Sequence, residues 1–273
     1  MTTRSAADVW NLGDYQKLAF ENVIVGERLC AALAIPAGAR VLDVGCGTGN
    51  TTLAAARRRA AVTGIDIASG LIARGQQRAE AEGLTGIDFQ VGDAGSLPFA
   101  DASFDYVLST FGAVFLHDQQ AAARELARVV RPGGTIALTA WARQSLPSDV
   151  YHMIHGLVPP PADAPLPAYV WTDGPRAAEL LGPYCSAIVI GHHDVDACFP
   201  SADAMFDNHA QNYGPVMNGM SRFTADQRVA FRAGFIEILG RYNRATDGTL
   251  IARYDYATIV ATRAGGHGLT QER

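Results

Sequence analysis

Glycines stand at 45, 47 and 49, directly after the apolar run Val41-Leu42-Asp43-Val44. A buried strand that turns through glycines into a helix lets the backbone approach a ligand closely. The helix that follows offers unpaired N–H groups and a positive dipole end to an anionic or polar group. Such a loop alone serves a dinucleotide, a nucleoside or only a tight turn. Three acids narrow the choice: Asp43 inside the first strand, Asp66 at the end of the second, and Asp93 after the third. An acid at Asp66 suits a pair of ribose hydroxyls in either nucleotide class. The dinucleotide fingerprint, however, carries glycine or alanine at its sixth position. Here that position is Asn50, and Gly49 comes one place early.

Other residues that could do chemistry are few. His117, in Phe115-Leu116-His117-Asp118, follows the fourth apolar run on the rim where a substrate would sit. Histidine titrates in the range a general base needs. The same residue could instead cap the next helix or order its loop. His192, Asp194 and Asp196 alternate along one extended segment and would share a face. No second ligand cluster accompanies them, nor the weaker pair His152 and His155, so no metal site is expected. The cysteines, Cys30, Cys46, Cys185 and Cys198, form no C-x-x-C pair and read as reduced, mostly buried thiols of a cytoplasmic protein.

The elements that must position these residues alternate. Helical spacing covers Met1 to Ile35, with a break near Gly13-Asp14. Strands are expected at Arg40–Val44, Ala61–Asp66, Ile87–Val91, Phe104–Ser109 and Thr135–Trp141. Helices are expected between them at Thr51–Arg59, Leu71–Glu82 and Gln119–Val130, the last closed by Arg131-Pro132-Gly133-Gly134. Strands alternating with helices imply parallel pairing through right-handed crossovers. The second half changes character. A proline-rich loop spans Val158–Pro167, a short helix Arg176–Leu181, a strand Ala187–Val195 and a last strand Ala252–Thr262. Ser201 to Arg244 is mostly helical, broken at Tyr213-Gly214-Pro215, and its place between two strands suggests a lid. Tyr151, Trp171, Phe206, Tyr213, Met217, Met220, Phe223 and Phe231 either line an apolar cavity beneath it or pack it onto the sheet.

Composition sets the outer bounds. The 273 residues, 48% hydrophobic and 18% charged, suit one large α/β domain with an insertion. A formal net charge of -5 leaves no basic surface for nucleic acid, and the run Arg57-Arg58-Arg59 reads as the solvated end of a helix. No apolar stretch is long enough to span a bilayer, and no signal peptide is visible at the N-terminus.

Taken jointly, four blocks resemble the class I S-adenosylmethionine-dependent methyltransferases, in particular those of quinone biosynthesis and small-molecule pathways. They are Val41–Asn50, Gly64-Ile65-Asp66, Val91-Gly92-Asp93-Ala94 with Leu97-Pro98-Phe99, and Phe104–Val107 leading to Arg128–Trp141. The resemblance implies a doubly wound, mostly parallel seven-stranded sheet within a single domain, 1–273. It divides into an N-terminal helical cap (1–35), a cofactor-binding core (36–141) and a helical lid (199–247) between the last two strands. It also implies site roles. Gly45, Cys46 and Gly47 would pass the methionine part of the cofactor, and Asp43 would set the loop and favour its positive charge. Asp66 would accept from the ribose, while Ile67 and Leu71 flank the adenine. Gly92, Asp93 and Ala94 would meet the adenine edge. Thr110 and Phe111 would lie beside the methionine, and Tyr15 would close over the cofactor. The plainer readings remain open: Asp43 as a turn acid, Asp66 or Ser69 as a helix cap, Asp93 in an Asx-turn, Trp10 and Tyr15 as core. The expected activity is methyl transfer to an O, N or C atom of a small, apolar or aromatic metabolite. The alternatives are a relative catalysing another step, such as a cyclisation, or a non-catalytic S-adenosylmethionine-binding protein. A nicotinamide oxidoreductase is disfavoured by Asn50 and Asp93. A nucleic-acid methyltransferase is disfavoured by Ser109-Thr110-Phe111-Gly112, which stands where a base pocket would begin.

Overall fold

The computed structural model describes residues 4–160 and 166–265. The middle of the proline-rich loop, 161–165, and both chain ends of the expected domain lie outside the described residues. Seven strands form one sheet in the order β3-β2-β1-β4-β5-β7-β6. They are β1 (Arg40–Val44), β2 (Ala61–Asp66), β3 (Asp88–Val91), β4 (Phe104–Thr110), β5 (Val130–Trp141), β6 (Cys185–Phe199) and β7 (Leu250–Arg263). The first five pair in parallel, and β7 runs antiparallel between β5 and β6. The doubly wound α/β expectation is the observed fold.

Strand β1 shows why the alternation was readable. Val41, Leu42 and Val44 are wholly buried because helices cover both faces of a parallel sheet, so the strand is apolar on both faces except at the buried Asp43. One face packs on α3 (Val23–Ala32) and α4 (Asn50–Arg57). The other packs on α6 (Gln119–Val129) and α8 (Gly174–Leu181). Helix α6 begins where the Asp118 side chain accepts from the Ala121 N–H at 2.8 Å, and it buries Ala122, Leu126 and Val129 at helical spacing. Asp118, not His117, is therefore the cap. The helix ends at Val129, but Arg131-Pro132-Gly133-Gly134 does not form a separate closing turn. The register jumps from Phe104↔Val130 to Tyr106↔Thr135, so these residues bulge out within β5.

Before the sheet, the chain runs through α1 (Ala6–Trp10), α2 (Gln16–Ala19) and a single tight turn (Phe20–Asn22) into α3. The expected break at Gly13-Asp14 is present, and Tyr15 lies just ahead of α2. This segment is tied to both halves. The Gly70 N–H donates to Asn11 Oδ1 at 3.0 Å, Asn50 Nδ2 to the Ala19 carbonyl at 2.7 Å, and Asn208 Nδ2 to the Lys17 carbonyl at 2.9 Å.

A separate core holds the second half. It joins α7 (Leu146–Leu157), α9 (Ala202–Asn212), α10 (Gly214–Met220) and α11 (Ala225–Tyr242) to β6 and β7. Helix α11 carries a capping box between Thr224 and Gln227 and buries Phe231, Phe235, Ile238 and Leu239 on one stripe. Fully buried aromatics of this size contribute on the order of 3 kcal/mol each. Helix α7 was not expected from the sequence, and β6 is longer than expected at both ends.

Candidate active site

The glycine loop is locked at two points. The N–H groups of Gly45 and Cys46 both donate to the Ile65 carbonyl, at 2.8 and 3.0 Å. A Cβ on Gly112 would meet the carbonyl oxygens of Val44 and Gly45 at 2.7 Å, so two backbones touch where the loop leaves β1. Gly47 differs. Its φ is +54°, and a Cβ there would meet nothing within 4 Å. That room belongs to a cavity of about 260 Å³ at the carboxyl ends of β1, β2 and β4.

Every residue named above for cofactor contact lines this one cavity: Tyr15, Asp43, Gly45, Cys46, Gly47, Asp66, Ile67, Leu71, Gly92, Asp93, Ala94, Thr110 and Phe111. His117 also lines it, exposed at its edge. Trp10, Asn22, Thr51 and Phe115 are among the further residues that line it without having been singled out for contact. Trp10 had a signal, an aromatic ahead of the break, but a core role explained it equally well. Asn22 had none.

The acids differ in environment. Asp66 Oδ2 accepts from the Gly47 N–H at 2.8 Å, and Oδ1 from the Ala68 N–H at 2.9 Å. The carboxylate thus ties the second strand to the glycine loop, and each oxygen keeps a further lone pair. Ser69 makes no side-chain cap to α5 (Ser69–Ala81). Burial raises the Asp66 pKa, against the pull of these N–H donors. Asp43 is wholly buried, with the Thr52 hydroxyl donating to Oδ2 at 2.6 Å. Its Oδ1 has no hydrogen-bond partner among the described residues. Burial pushes Asp43 up to about 7, against the Thr52 hydrogen bond. Asp93 does form an Asx-turn, accepting from the Gly95 N–H at 2.8 Å, and remains exposed at the cavity. Asn50, where a dinucleotide site would carry a small residue, accepts from Arg78 at 2.7 Å and so links the cap segment to α5.

Phe111 is the one lining residue other than glycine with left-handed backbone, at φ 52°. Such strain persists where surrounding structure enforces it, often at functional sites. Here the Phe111 ring stacks on Trp141 at 3.7 Å and 11°. Beyond Phe111 lies a second cavity of about 430 Å³ between the N-terminal helices, α7, α9 and α10. Trp10, Tyr15, Asn22, Phe111 and Phe115 line both cavities and form the partition between them. Of the aromatic and methionine residues considered for a cavity, Tyr151 and Tyr213 line this one. Phe206, Phe223 and Phe231 pack the lid, and Trp171 packs against the sheet. The acids of β6 are held by arginines: Arg244 pairs with Asp194 and Asp196 at 3.2 Å. No group of three or more metal-ligating side chains occurs among the described residues.

Comparison with known proteins places this arrangement. Residues 42–138 match the family described as Methyltransferase domain. An uncharacterized protein of Mycobacterium tuberculosis is 34% identical over 260 residues, 93% of each chain. The methyltransferase GfsG of Streptomyces halstedii is 38% identical over 114 residues, 41% of each chain. Among solved structures, the [4+2]-cyclase SpnF superposes with a TM-score of 0.58 at 23% identity, over 89% of this chain and 82% of that one, a likeness of fold alone. The chain belongs to the class I S-adenosylmethionine-dependent methyltransferases, and S-adenosylmethionine is the cofactor.

The first cavity fits that group. Its open space at Gly47, the orphaned Asp43 oxygen and the Asp66 carboxylate offer a cation and a diol what each needs. No helix among the described residues is long and apolar enough to cross a membrane.

Proposed function

We propose that the protein transfers a methyl group to a small, apolar or aromatic metabolite held in the second cavity. The observation that carries this reading is the shared partition. A donor in the first cavity and an acceptor in the second would meet at Trp10, Tyr15, Asn22, Phe111 and Phe115. The cofactor supplies a methyl group already activated on a positively charged sulfur. The chain's own task is to hold the acceptor in near-attack geometry, at about 3–3.5 Å, and to keep water out.

In this reading Asp66 holds the ribose and Asp43 answers the positive charge. Asp93 and Ala94 meet the adenine edge, with Ile67 and Leu71 on its faces. Phe111, fixed by Trp141 beneath it, shapes the passage. The cap would close the site through Trp10 and Tyr15, whose rings meet edge-on at 5.9 Å. The test is transfer of labelled methyl from S-adenosylmethionine to a panel of hydroxyl- and amine-bearing aromatic and aliphatic compounds. Label in at least one product supports the reading. Intact cofactor binding without any labelled product would move it to the cyclisation or cofactor-sensing class.

A further inference from the structure

Beside Asn22, which lines both cavities, a buried carboxyl in the wall of the second belongs to none of the roles above. Glu21 sits in the turn Phe20–Asn22, is 5% exposed and lines the second cavity. The Tyr254 hydroxyl donates to Glu21 Oε2 at 2.9 Å. His209 faces the same oxygen at 3.8 Å. The His209 Nδ1 donates to the Met205 carbonyl at 3.0 Å, because a carbonyl can only accept, so Nε2 presents its lone pair to Glu21. Glu21 Oε1 has no hydrogen-bond partner among the described residues. The neighbouring Asn22 Oδ1 has none either, and Asn22 lines both cavities. A buried, unpaired polar oxygen costs about 1–3 kcal/mol, so two adjacent ones in a cavity wall call for a ligand that satisfies them.

From this junction we infer that Glu21 receives the proton of a hydroxyl-bearing, ring-sized acceptor, with Asn22 as its second hydrogen-bond acceptor. The inference rests on the methyl-transfer reading. In the step, the acceptor's O–H bond breaks and its proton passes to the Glu21 carboxylate. The acceptor oxygen bonds the methyl carbon, and the electron pair of the broken carbon–sulfur bond stays on sulfur. The groups around Glu21 suit this. Burial pushes Glu21 up to about 8, against the Tyr254 hydrogen bond. Burial also pushes His209 down to about 4, so it stays neutral. The hydroxyls of Tyr15, Tyr213 and Tyr254 are raised far out of the working range by burial, and Glu21's own charge adds to each. Glu21 is then a group in this wall that titrates near neutral pH, where a general base is most effective. His117, by contrast, lines only the first cavity.

The test is a preference that a purely structural role would not move. With S-adenosylhomocysteine saturating, affinities of 2-naphthol and its methyl ether, 2-methoxynaphthalene, are compared. The native protein should prefer the hydroxyl probe by about tenfold, and more so as pH rises from about 6.5 to about 8.5 and Glu21 ionises to a pure acceptor. Glu21→Gln should bind S-adenosylhomocysteine as before, yet show a preference below about threefold that is flat with pH. Tyr254→Phe, which only frees Oε2, should keep the preference but shift its pH midpoint. An unchanged, pH-dependent preference in Glu21→Gln overturns the inference, as does failure of the native complex to bind 2-naphthol. Failure of S-adenosylhomocysteine to bind overturns the methyl-transfer reading itself, and calorimetry of that ligand alone separates the two failures.

Discussion

The two halves of the molecule use one sheet in different ways. In the first, from β1 to β5, the site is made of backbone: a loop touching another loop, N–H groups, and acids at strand ends. Around the second cavity, the site is made of side chains brought together from remote places, the N-terminal turn and the second half among them. Glu21 and Tyr254 are 233 positions apart, and His209 comes from the lid. A backbone site tolerates few residue types at each position. A side-chain cluster tolerates many, provided the partners change together. The first cavity is therefore the more restricted in residue type, and the second the less restricted.

That contrast can be broken or sharpened. The largest effect concerns the wall of the second cavity. A carboxyl whose folded-state pKa lies above its unfolded value stabilises the fold below the unfolded pKa. That stability is lost as pH rises through the folded one. For Glu21 the window runs from the ordinary 4.5 to about 8. Glu21→Gln should therefore match the native protein within about 1 kcal/mol near pH 5. Near pH 9 it should exceed it by on the order of 4 kcal/mol in urea unfolding. Equal stability at both pH values would remove Glu21 from the buried cluster.

On the backbone side, Gly112→Ala places a methyl 2.7 Å from two carbonyl oxygens. It should cost about 3 kcal/mol of unfolding free energy, whereas Phe231→Leu in the lid core should cost only about 1–2. A tolerated Gly112→Ala would undo the claim that backbone dictates this half. Asp66→Ala removes charge-assisted acceptors worth about 1.5–3 kcal/mol each and should weaken S-adenosylhomocysteine binding more than tenfold by calorimetry. The smallest effect expected is at Asp43. Asp43→Asn should lower the affinity for cationic S-adenosylmethionine about threefold more than that for neutral S-adenosylhomocysteine. In the native protein the same margin should grow as pH rises through about 7, where Asp43 ionises. A margin indifferent to both would make Asp43 a loop acid alone.

What could be read from the sequence follows the same division. Strands β1 and β2 were legible to the residue because burial on both faces leaves short, mostly apolar, β-branched runs that stop at Gly45 and at Asp66. That these residues would share one cavity wall was legible because close backbone approach restricts residue type. Helix α7 was not, since Pro147 near its start looks like a breaker, although proline in a first turn is pre-shaped for a helix. The ends of β6 were hidden because an edge strand faces solvent and carries polar residues. Glu21 was hidden most thoroughly. Nothing in Leu18-Ala19-Phe20-Glu21-Asn22 says that the acid points inward, because its partners arrive from α9 and β7.

The central claim is that the first cavity holds S-adenosylmethionine beside a separate acceptor site. Titration calorimetry of the purified protein with S-adenosylhomocysteine, run in parallel with NAD, tests it most directly. Micromolar binding of S-adenosylhomocysteine and none of NAD is the expected result. Binding of NAD alone, or of neither, would contradict it.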